Sequence, residues 1–533
     1  MPEKRKSEAF RAASNHWAKR FKSQAKQGPD GTQDGKNSQD STPVSTSSTK
    51  IPSPIKLLYN PSYSEDELSA VNADTVRIRD LIGAADLKET YQFNFNVDLT
   101  FFLSFLHPDF KKEKRKILFI TGSKLLDRDY EETYAIEKDY NISEVQAKLP
   151  SRFGTHHTKM MINFSKDQSA EIIIMSCNLT KLDFGGLTQM IWRSGKLFYG
   201  DTTSSKGSQF KSDLLAYLHS YSKPQIDILA MTLQSYSFQG IDVDLIASSP
   251  GSYNTNDEEK HFGYGSLLDA CKRNNLLVDN RDKSCHYNIL AQTSAISYPF
   301  ATEKWSTAGV FTHLLCPMLF SKNSEFHLLA PGKQSLRQHQ AEHNYTPSIV
   351  FPTVGEVASS NMGFASGQAI HFDYSRSFVH RNYYEQAIKP YLKKWNSTPT
   401  NSSTGREHVM PHVKLYMCDN GDNWESIRWC YMGSHNLSKQ AWGSRKGNKF
   451  VNDDPSRYEV NSYELGVLLT PKPGTQMKPS YLSDSGSEYG VTYLRMPFAL
   501  PPAAYSKDDI PWSGHVSYGE LMDSKGYTYN LSH

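Results

Sequence analysis

Two short stretches of the 533-residue chain repeat one arrangement of reactive side chains. The first is GTHHTKMMI (154–162), followed by the apolar run EIIIMSCNLT (171–180). The second is MPHVKLYMC (410–418), followed by WCYMGSHNLS (429–438). Each carries His-x-Lys on an apolar run, and each is followed by a second apolar run that closes on Asn-Leu. Asn178 comes 21 positions after His157, and Asn436 comes 24 after His412. The two histidines stand 255 positions apart, a domain's length rather than a solenoid period. One His-x-Lys is expected by chance in a chain with 18 His. Two copies with the same following strand and the same ending are not.

On an extended strand, residues i and i+2 face the same side. His157 and Lys159 therefore project together, as do His412 and Lys414. If the two halves meet by pseudo-twofold symmetry, two imidazoles and two ammonium groups converge on one pocket. That set suits a phosphodiester. One histidine can attack phosphorus and hold it as a covalent phosphohistidine. The other can protonate the leaving oxygen and then activate water. The lysines neutralise charge as it builds on the non-bridging oxygens. Asn178 and Asn436, at strand ends, can donate amide hydrogens to the same oxygens. This chemistry asks for no cofactor, and the sequence holds no dense Asp/Glu/His cluster with metal-ligand spacing. His156 points to the other strand face and reads as a hydrogen-bonded structural histidine.

The elements that must carry these residues alternate between strand and helix. KILFITGS (116–123), EIIIMSCNL (171–179), DILAMTLQSYSF (227–238), DVDLIASSPG (242–251), FHLLAPG (326–332), SIVFPTVGEV (348–357), VKLYMCD (413–419), WCYMGSHNL (429–437) and ELGVLLTP (464–471) read as strands. KSDLLAYLHSYS (211–222) and YEQAIKPYLKKW (384–395) read as helices, and DTVRIRDLIG (74–83) as a helix start capped by Asp74. The apolar run THLLCPMLF (312–320) has the length of a core strand. Stretches 397–408 and 484–490 read as loops. The expected fold is α/β: two pseudo-symmetric lobes, each a mixed sheet flanked by helices. The expected divisions are a disordered basic tail over 1–53, an N-terminal lobe over 54–256 and a C-terminal lobe over 257–533.

Composition narrows the class. Hydrophobic residues make up 38% and aromatics 12%, enough for a sizeable core, which excludes a wholly disordered or collagen-like chain. No apolar run approaches the length of a membrane span. The amino terminus MPEKRKSEAF lacks the apolar segment of a secretory signal. None of the six cysteines forms C-x-x-C, so buried free thiols in a reducing compartment are expected. The net charge of +3 is uneven: residues 1–50 hold ten Lys/Arg against five Asp/Glu, leaving the rest slightly acidic. A basic tail points to an anionic partner or a nuclear address. Its KRFK (19–22) lies in SEAFRAASNHWAKRFKSQAK (7–26), which reads as a transient basic helix. The Gly-, Ser- and Thr-rich remainder cannot bury enough apolar area to order itself.

The paired motifs resemble those of the phospholipase D superfamily. FGTHHTKMM, MPHVKLYM, NLSKQAWG and SYELGVLL resemble its eukaryotic tyrosyl-DNA phosphodiesterase branch, and the similarity runs from about Ile55 to LPPAAYSKDDIPW (500–512). The resemblance implies hydrolysis of the bond between a DNA 3′ phosphate and a tyrosine of topoisomerase I, or another 3′ block. It implies a phosphohistidine intermediate, a DNA 3′-phosphate product, no metal or other cofactor, no membrane, a monomer and nuclear residence. His157 would be the nucleophile and His412 the general acid/base, with Lys159, Lys414, Asn178 and Asn436 on the phosphate. Glu464 in SYELGV would orient His157, and Gln189 in LTQMIW would orient His412. Phe153 would stack on the DNA strand, and Ser294, within AQTSAIS (291–297), would touch its backbone. The superfamily motif places an Asp five residues after Lys. Phe164 stands there in the first copy and Asp419 in the second, where it reads as a strand-end turn residue. Asp419 keeps open a phosphatidyl-directed phospholipase or general nuclease, and a catalytically inactive DNA-end-binding scaffold is a further reading.

Overall fold

The computed structural model describes residues 52–126, 131–279, 282–297, 309–320, 336–397, 403–445, 456–484 and 488–531. The basic stretch 1–51, the FHLLAPG run and the middles of both expected loops lie outside the described residues. Among those described, strands form two seven-stranded sheets with the same plan. The first comprises β1 (Ile55–Leu57), β2 (Leu87–Phe93), β3 (Lys116–Thr121), β4 (Asn141–Gln146), β5 (Met160–Ser165), β6 (Ala170–Met175) and β7 (Met190–Arg193). The second comprises β8 (Asp244–Ser248), β9 (Tyr287–Gln292), β10 (Tyr345–Val350), β11 (Leu392–Lys393), β12 (Leu415–Asp419), β13 (Ile427–Gly433) and β14 (Glu464–Leu469).

The orders are β4-β3-β2-β5-β6-β7-β1 and β11-β10-β9-β12-β13-β14-β8. In each sheet the first three strands are parallel and the remaining pairings antiparallel. The strand after each His-x-Lys, β5 or β12, therefore holds the same central place. The lobes divide before β8, not at 256/257: β8 is the counterpart of β1 and pairs with β14. Order also starts slightly earlier than 54. Ser53 is buried, and its amide donates to the Asp484 carbonyl.

Period-two alternation assigns the faces. Met160, Ile162 and Phe164 of β5 enter a large core shared by both sheets, while Met161 enters a smaller outer core of the first lobe. The shared core also takes one face of α1 (Ser205–His219) and α2 (Pro224–Gln234). α2 occupies the DILAMTLQSYSF run expected as a strand. Pro224 opens its first turn, and Ile226, Leu229, Ala230 and Leu233 are buried while Ile228 and Met231 are exposed, a helical period. The apolar run 312–320 is likewise helical, spanning a π-turn and a short α-helix. Asp74 caps nothing, because its φ of +56° is incompatible with an extended N-cap; the helix begins at Ile78 behind Arg77. In the 384–395 run, helical turns end at Tyr391 and β11 follows. The SIVFPTVGEV strand stops at Val350, because Thr353 opens a helix through a capping box with Glu356.

Candidate active site

The two lobes exchange backbone at the residues that lead into their central strands. The His157 amide donates to the Tyr463 carbonyl at 2.8 Å, just before β14. The His412 amide donates to the Thr188 carbonyl at 3.0 Å, just before β7. Each motif histidine is thus pinned to the opposite lobe, just ahead of the strand that lies next to the edge of that lobe's sheet. Both imidazoles line one cavity of about 770 Å³, together with Asn178, Asn436, Glu464, Phe153 and Ser294. The pattern of a duplicated lobe meeting face to face is therefore realised in space.

Lys159 and Lys414 lie fully buried beneath the histidines. Lys159 Nζ donates to the His157 carbonyl at 2.7 Å, and Lys414 Nζ donates likewise to the His412 carbonyl. Burial lowers both ammonium pKa values. Lys159 falls to about 8, with Glu464 and Asp183 opposing the fall, and Lys414 falls well below its ordinary value, pushed further by Lys159. Neither lysine is among the residues that line the cavity; the two ammonium groups stand behind the histidines, with the Glu464 and Asp183 carboxylates as the opposing charges.

The histidines are oriented by different groups. His157 Nδ1 donates to Glu464 Oε2 at 2.8 Å. That leaves Nε2 with its lone pair toward the cavity. Burial would raise the Glu464 carboxyl, but the charge and hydrogen bond of His157, with His435 and Lys159, hold it below its ordinary value. His412 Nδ1 stands 3.0 Å from Asp183 Oδ1 and 3.1 Å from Gln189 Nε2. Gln189 Oε1 accepts from Ser176 Oγ at 2.7 Å, which turns Nε2 to donate to Asp183 Oδ1 at 2.9 Å. A carboxylate only accepts, so Asp183 accepts the hydrogen bond from His412 Nδ1–H, and Gln189 acts chiefly through Asp183. Burial works to raise the Asp183 carboxyl, but His412, the Asn178 amide and Thr180 bring it down to about 2. His412 itself is lowered to about 3 by burial and Lys414, against the pull of Asp183. Burial also holds His157 below the ordinary imidazole value.

Asp183 is the site residue that motif reading missed. It sits in the first turn of the short helix Lys181–Gly186; its amide donates to Thr180 Oγ1, and Thr180 Oγ1 donates to its Oδ2. A T-x-x-D helix start, five residues beyond Asn178, was the available signal. Phe95 is the other omission. Its half-exposed ring meets His157 edge-on at 5.5 Å, and Lys159 Nζ lies 5.7 Å from its centroid. Only the turn before it, where Asn94 Oδ1 accepts from the Phe95 amide, hinted at its placement.

The asparagines differ as well. Asn436 Oδ1 accepts from Thr293 Oγ1 at 2.9 Å, the Ala295 amide at 3.0 Å and Ser294 Oγ at 3.3 Å, so its NH₂ is left to face the cavity. Asn178 Nδ2 instead approaches both Asp183 oxygens at 3.3 and 3.4 Å. Ser294 is almost fully buried, bracing Asn436. Phe153 is 62% exposed, with the Arg152 guanidinium 4.8 Å over its ring, so it is no core residue. His156 is a buried structural histidine: Nδ1 bonds to the Asn94 carbonyl and Nε2 to the Tyr221 hydroxyl. Asp419 is buried away from the cavity. Its carboxylate accepts from the Asn288 amide and side chain, each at 2.7 Å, and from the Gly421 amide at 3.1 Å, closing the turn after β12.

Comparison with known proteins gives the family and the fold. A family model described as tyrosyl-DNA phosphodiesterase matches residues 54–506. A probable tyrosyl-DNA phosphodiesterase of Schizosaccharomyces pombe is 29% identical over 558 residues, covering 90% of this chain and 96% of its own. Tyrosyl-DNA phosphodiesterase 1 of Drosophila melanogaster is 28% identical over 435 residues, covering 80% and 68%. The crystal structure of the yeast tyrosyl-DNA phosphodiesterase superposes with a TM-score of 0.65 at 23% identity, over 86% of this chain and 98% of that one, and shares the fold.

Proposed function

The chain belongs to the tyrosyl-DNA phosphodiesterase family, and from that membership we propose that it hydrolyses the phosphodiester joining a DNA 3′ end to a tyrosine, or to another 3′ block, through a phosphohistidine on His157. It is a phosphodiesterase of the DNA-repair class. The observation that carries the mechanism is the pair of imidazoles on one cavity, each with Nδ1 committed to a carboxylate.

His157 Nε2 attacks phosphorus, the P–O bond to the tyrosyl oxygen breaks, and an N–P bond forms. The Lys159 and Lys414 ammonium groups and the Asn436 amide take up the charge on the non-bridging oxygens. A phenol leaves with a pKa of about 10, so it needs little protonation in the transition state. This suits His412, whose depressed pKa keeps it neutral in the empty site. Arrival of the substrate's negative charge raises that pKa. His412 then removes a proton from water, water oxygen attacks phosphorus, the N–P bond breaks, a DNA 3′-phosphate leaves with His157 neutral again, and the proton on His412 passes to the departed phenolate, which restores the neutral ring and completes the phenol.

Phe95, Val97, Leu182 and Met362 give the cavity an apolar lining interleaved with Asp98 and Lys181, fitting a tyrosyl ring and the topoisomerase I-derived peptide behind it; Phe153 also lines it, and a flat ring there can stack on a base of the DNA strand. The second motif's Asp419, which favoured a phospholipase or general nuclease, is consumed in a structural turn. The complete set of reacting groups favours an enzyme over an inactive scaffold. No helix among the described residues is long and apolar enough to cross a membrane. The basic stretch around KRFK supports a nuclear address, and we take the working unit to be a monomer. The test is cleavage of a labelled oligonucleotide bearing a 3′-phosphotyrosine, with and without EDTA. The expected result is a 3′-phosphate product at equal rates in both. Choline release from phosphatidylcholine with no phosphotyrosyl cleavage would overturn the reading.

A further inference from the structure

The segment that carries His157 has a polar back. His156 and Thr158, which alternate with His157 and Lys159, are both buried. There they join two buried tyrosines, Tyr217 in the last turn of α1 and Tyr221 just beyond it. Thr158 Oγ1 bonds to Tyr217 Oη at 2.5 Å, Tyr217 Oη to Tyr221 Oη at 2.8 Å, Tyr221 Oη to His156 Nε2 at 2.9 Å, and His156 Nδ1 to the Asn94 carbonyl at 3.0 Å. The second motif puts Pro411 and Val413 in the places of His156 and Thr158, side chains with no hydrogen-bonding group, and Val413 packs into the shared core.

Every bond in this chain has one direction. A carbonyl only accepts, so His156 Nδ1 carries a proton. Burial pushes that imidazole down to about 3, so the ring is neutral and Nε2 offers a lone pair. Tyr221 therefore donates to His156, Tyr217 to Tyr221, and Thr158 to Tyr217. The far end of the chain acts on the site. Asn94 Oδ1 accepts from the Phe95 and Asn96 amides, so the turn that His156 grips carries Phe95, whose ring meets His157 edge-on at 5.5 Å. The middle acts on it as well. Tyr463 stacks on Tyr221 with centroids 4.3 Å apart, and its carbonyl accepts from the His157 amide at 2.8 Å, one residue before Glu464. The nucleophile's own segment, the ring beside it and the residue before its carboxylate thus rest on one buried chain.

We infer that His156 and Tyr221 are positioning residues for the attack of His157 on phosphorus: the hydrogen-bonded chain from Thr158 to the Asn94 carbonyl holds the His157 imidazole beside Phe95, with Nε2 aimed into the cavity, before the N–P bond forms. This rests on the reading that His157 is the nucleophile. A free ring must be held in its attacking rotamer, and a misplacement of about 1 Å can cost about 10²-fold in rate. Once His157 is bonded to phosphorus, the covalent bond itself fixes the ring. The chain therefore serves the attack and adds little to the later cleavage of the N–P bond.

The experiment uses the full chain carrying His412→Asn, so that the adduct accumulates, and a 5′-labelled oligonucleotide ending in a 3′-p-nitrophenyl phosphate. Release of p-nitrophenol on rapid mixing reports attack, and loss of the labelled protein–DNA band after a chase reports cleavage of the N–P bond. Adding Tyr221→Phe should slow attack about tenfold, and adding His156→Leu about 10²-fold. Adding His156→Gln should leave attack within about threefold of the parent, because one amide can donate to the Asn94 carbonyl and accept from Tyr221. In all three the half-saturating substrate concentration and the decay of the adduct should stay within about twofold. Urea unfolding identifies a variant that no longer folds; Tyr221→Phe, which loses only a hydroxyl, then decides alone. Attack and decay slowed alike would mean a merely structural role and overturn the inference, as would unchanged attack or an effect on half-saturation alone. No p-nitrophenol release and no band in His412→Asn itself would instead bring down the functional reading on which the inference rests.

Discussion

In the amino-terminal half of the centre, His157 Nδ1–H donates a hydrogen bond to the Glu464 carboxylate across the lobe interface. In the carboxy-terminal half, His412 Nδ1–H donates to Asp183, a carboxylate that also accepts from the Asn178 amide, Thr180 and Gln189. Strand order, lysine placement and the backbone exchange between lobes are the same in both halves. The duplication has thus kept its frame while the charge around each imidazole diverged. A Glu464 carboxylate committed to one ring favours positive charge on His157, as a phosphohistidine requires. An Asp183 carboxylate spread over several donors pulls less on His412, which burial and Lys414 hold neutral. One ring is arranged to carry phosphorus, the other to accept a proton.

The sharpest way to break this comparison is to remove each ring in turn. His157→Ala should lose turnover by at least about 10⁴-fold and show no burst of leaving group. His412→Asn should keep the burst and lose steady-state turnover by about 10²–10⁴-fold. Rapid-mixing kinetics with a p-nitrophenyl substrate separate the two; a burst lost in both would erase the division of labour.

The orienting groups sharpen it further. Asp183→Asn should slow the hydrolysis step by about 10²-fold, and Gln189→Ala only about tenfold, because Gln189 works through the carboxylate. Single-turnover rates of adduct decay check this. Equal effects would make Gln189 the direct partner of His412.

The His-x-Lys repeat made the site's core legible, since same-face spacing on a strand needs no tertiary information. Phe153, Ser294, Gln189 and Glu464 came from resemblance, and the structure brings all four to the cavity or its immediate support. Asp183 was hidden because a carboxylate in a helix's first turn looks like an ordinary cap, and its distance from His412 depends on how the lobes meet. The α/β plan was legible from alternating apolar runs. The divide before β8 was not, because an edge strand donated across a long gap leaves no local mark. DILAMTLQSYSF misled because its apolar content outweighed its period, although Pro224 stands where a helix tolerates it.

A smaller effect concerns pH. The kcat/KM profile reports groups of the free enzyme. His157 must be unprotonated to attack, and its lowered pKa moves the acid limb below that of an ordinary imidazole, so activity should persist as pH falls through 6.5. Lys159 titrates near 8, so kcat/KM should decline above that pH, by about tenfold per unit once the ammonium is lost. Lys159→Arg should carry the alkaline limb upward. An unmoved limb would take Lys159 out of the charge balance.

The smallest catalytic effect is expected at Asp419. Its carboxylate serves the turn after β12, so Asp419→Ala should leave kcat/KM within about twofold while lowering stability by about 1–3 kcal/mol in urea unfolding. A large catalytic loss at unchanged stability would return it to the reaction.

The central claim is that phosphorus passes through His157 and leaves it with the help of His412. It is tested most directly by mixing each variant with a 5′-labelled 3′-phosphotyrosyl oligonucleotide and mapping any protein–DNA band by peptide sequencing. The account predicts an acid-labile adduct on His157 in His412→Asn and no adduct in His157→Ala. An adduct on another residue, or one that forms in His157→Ala, would contradict it.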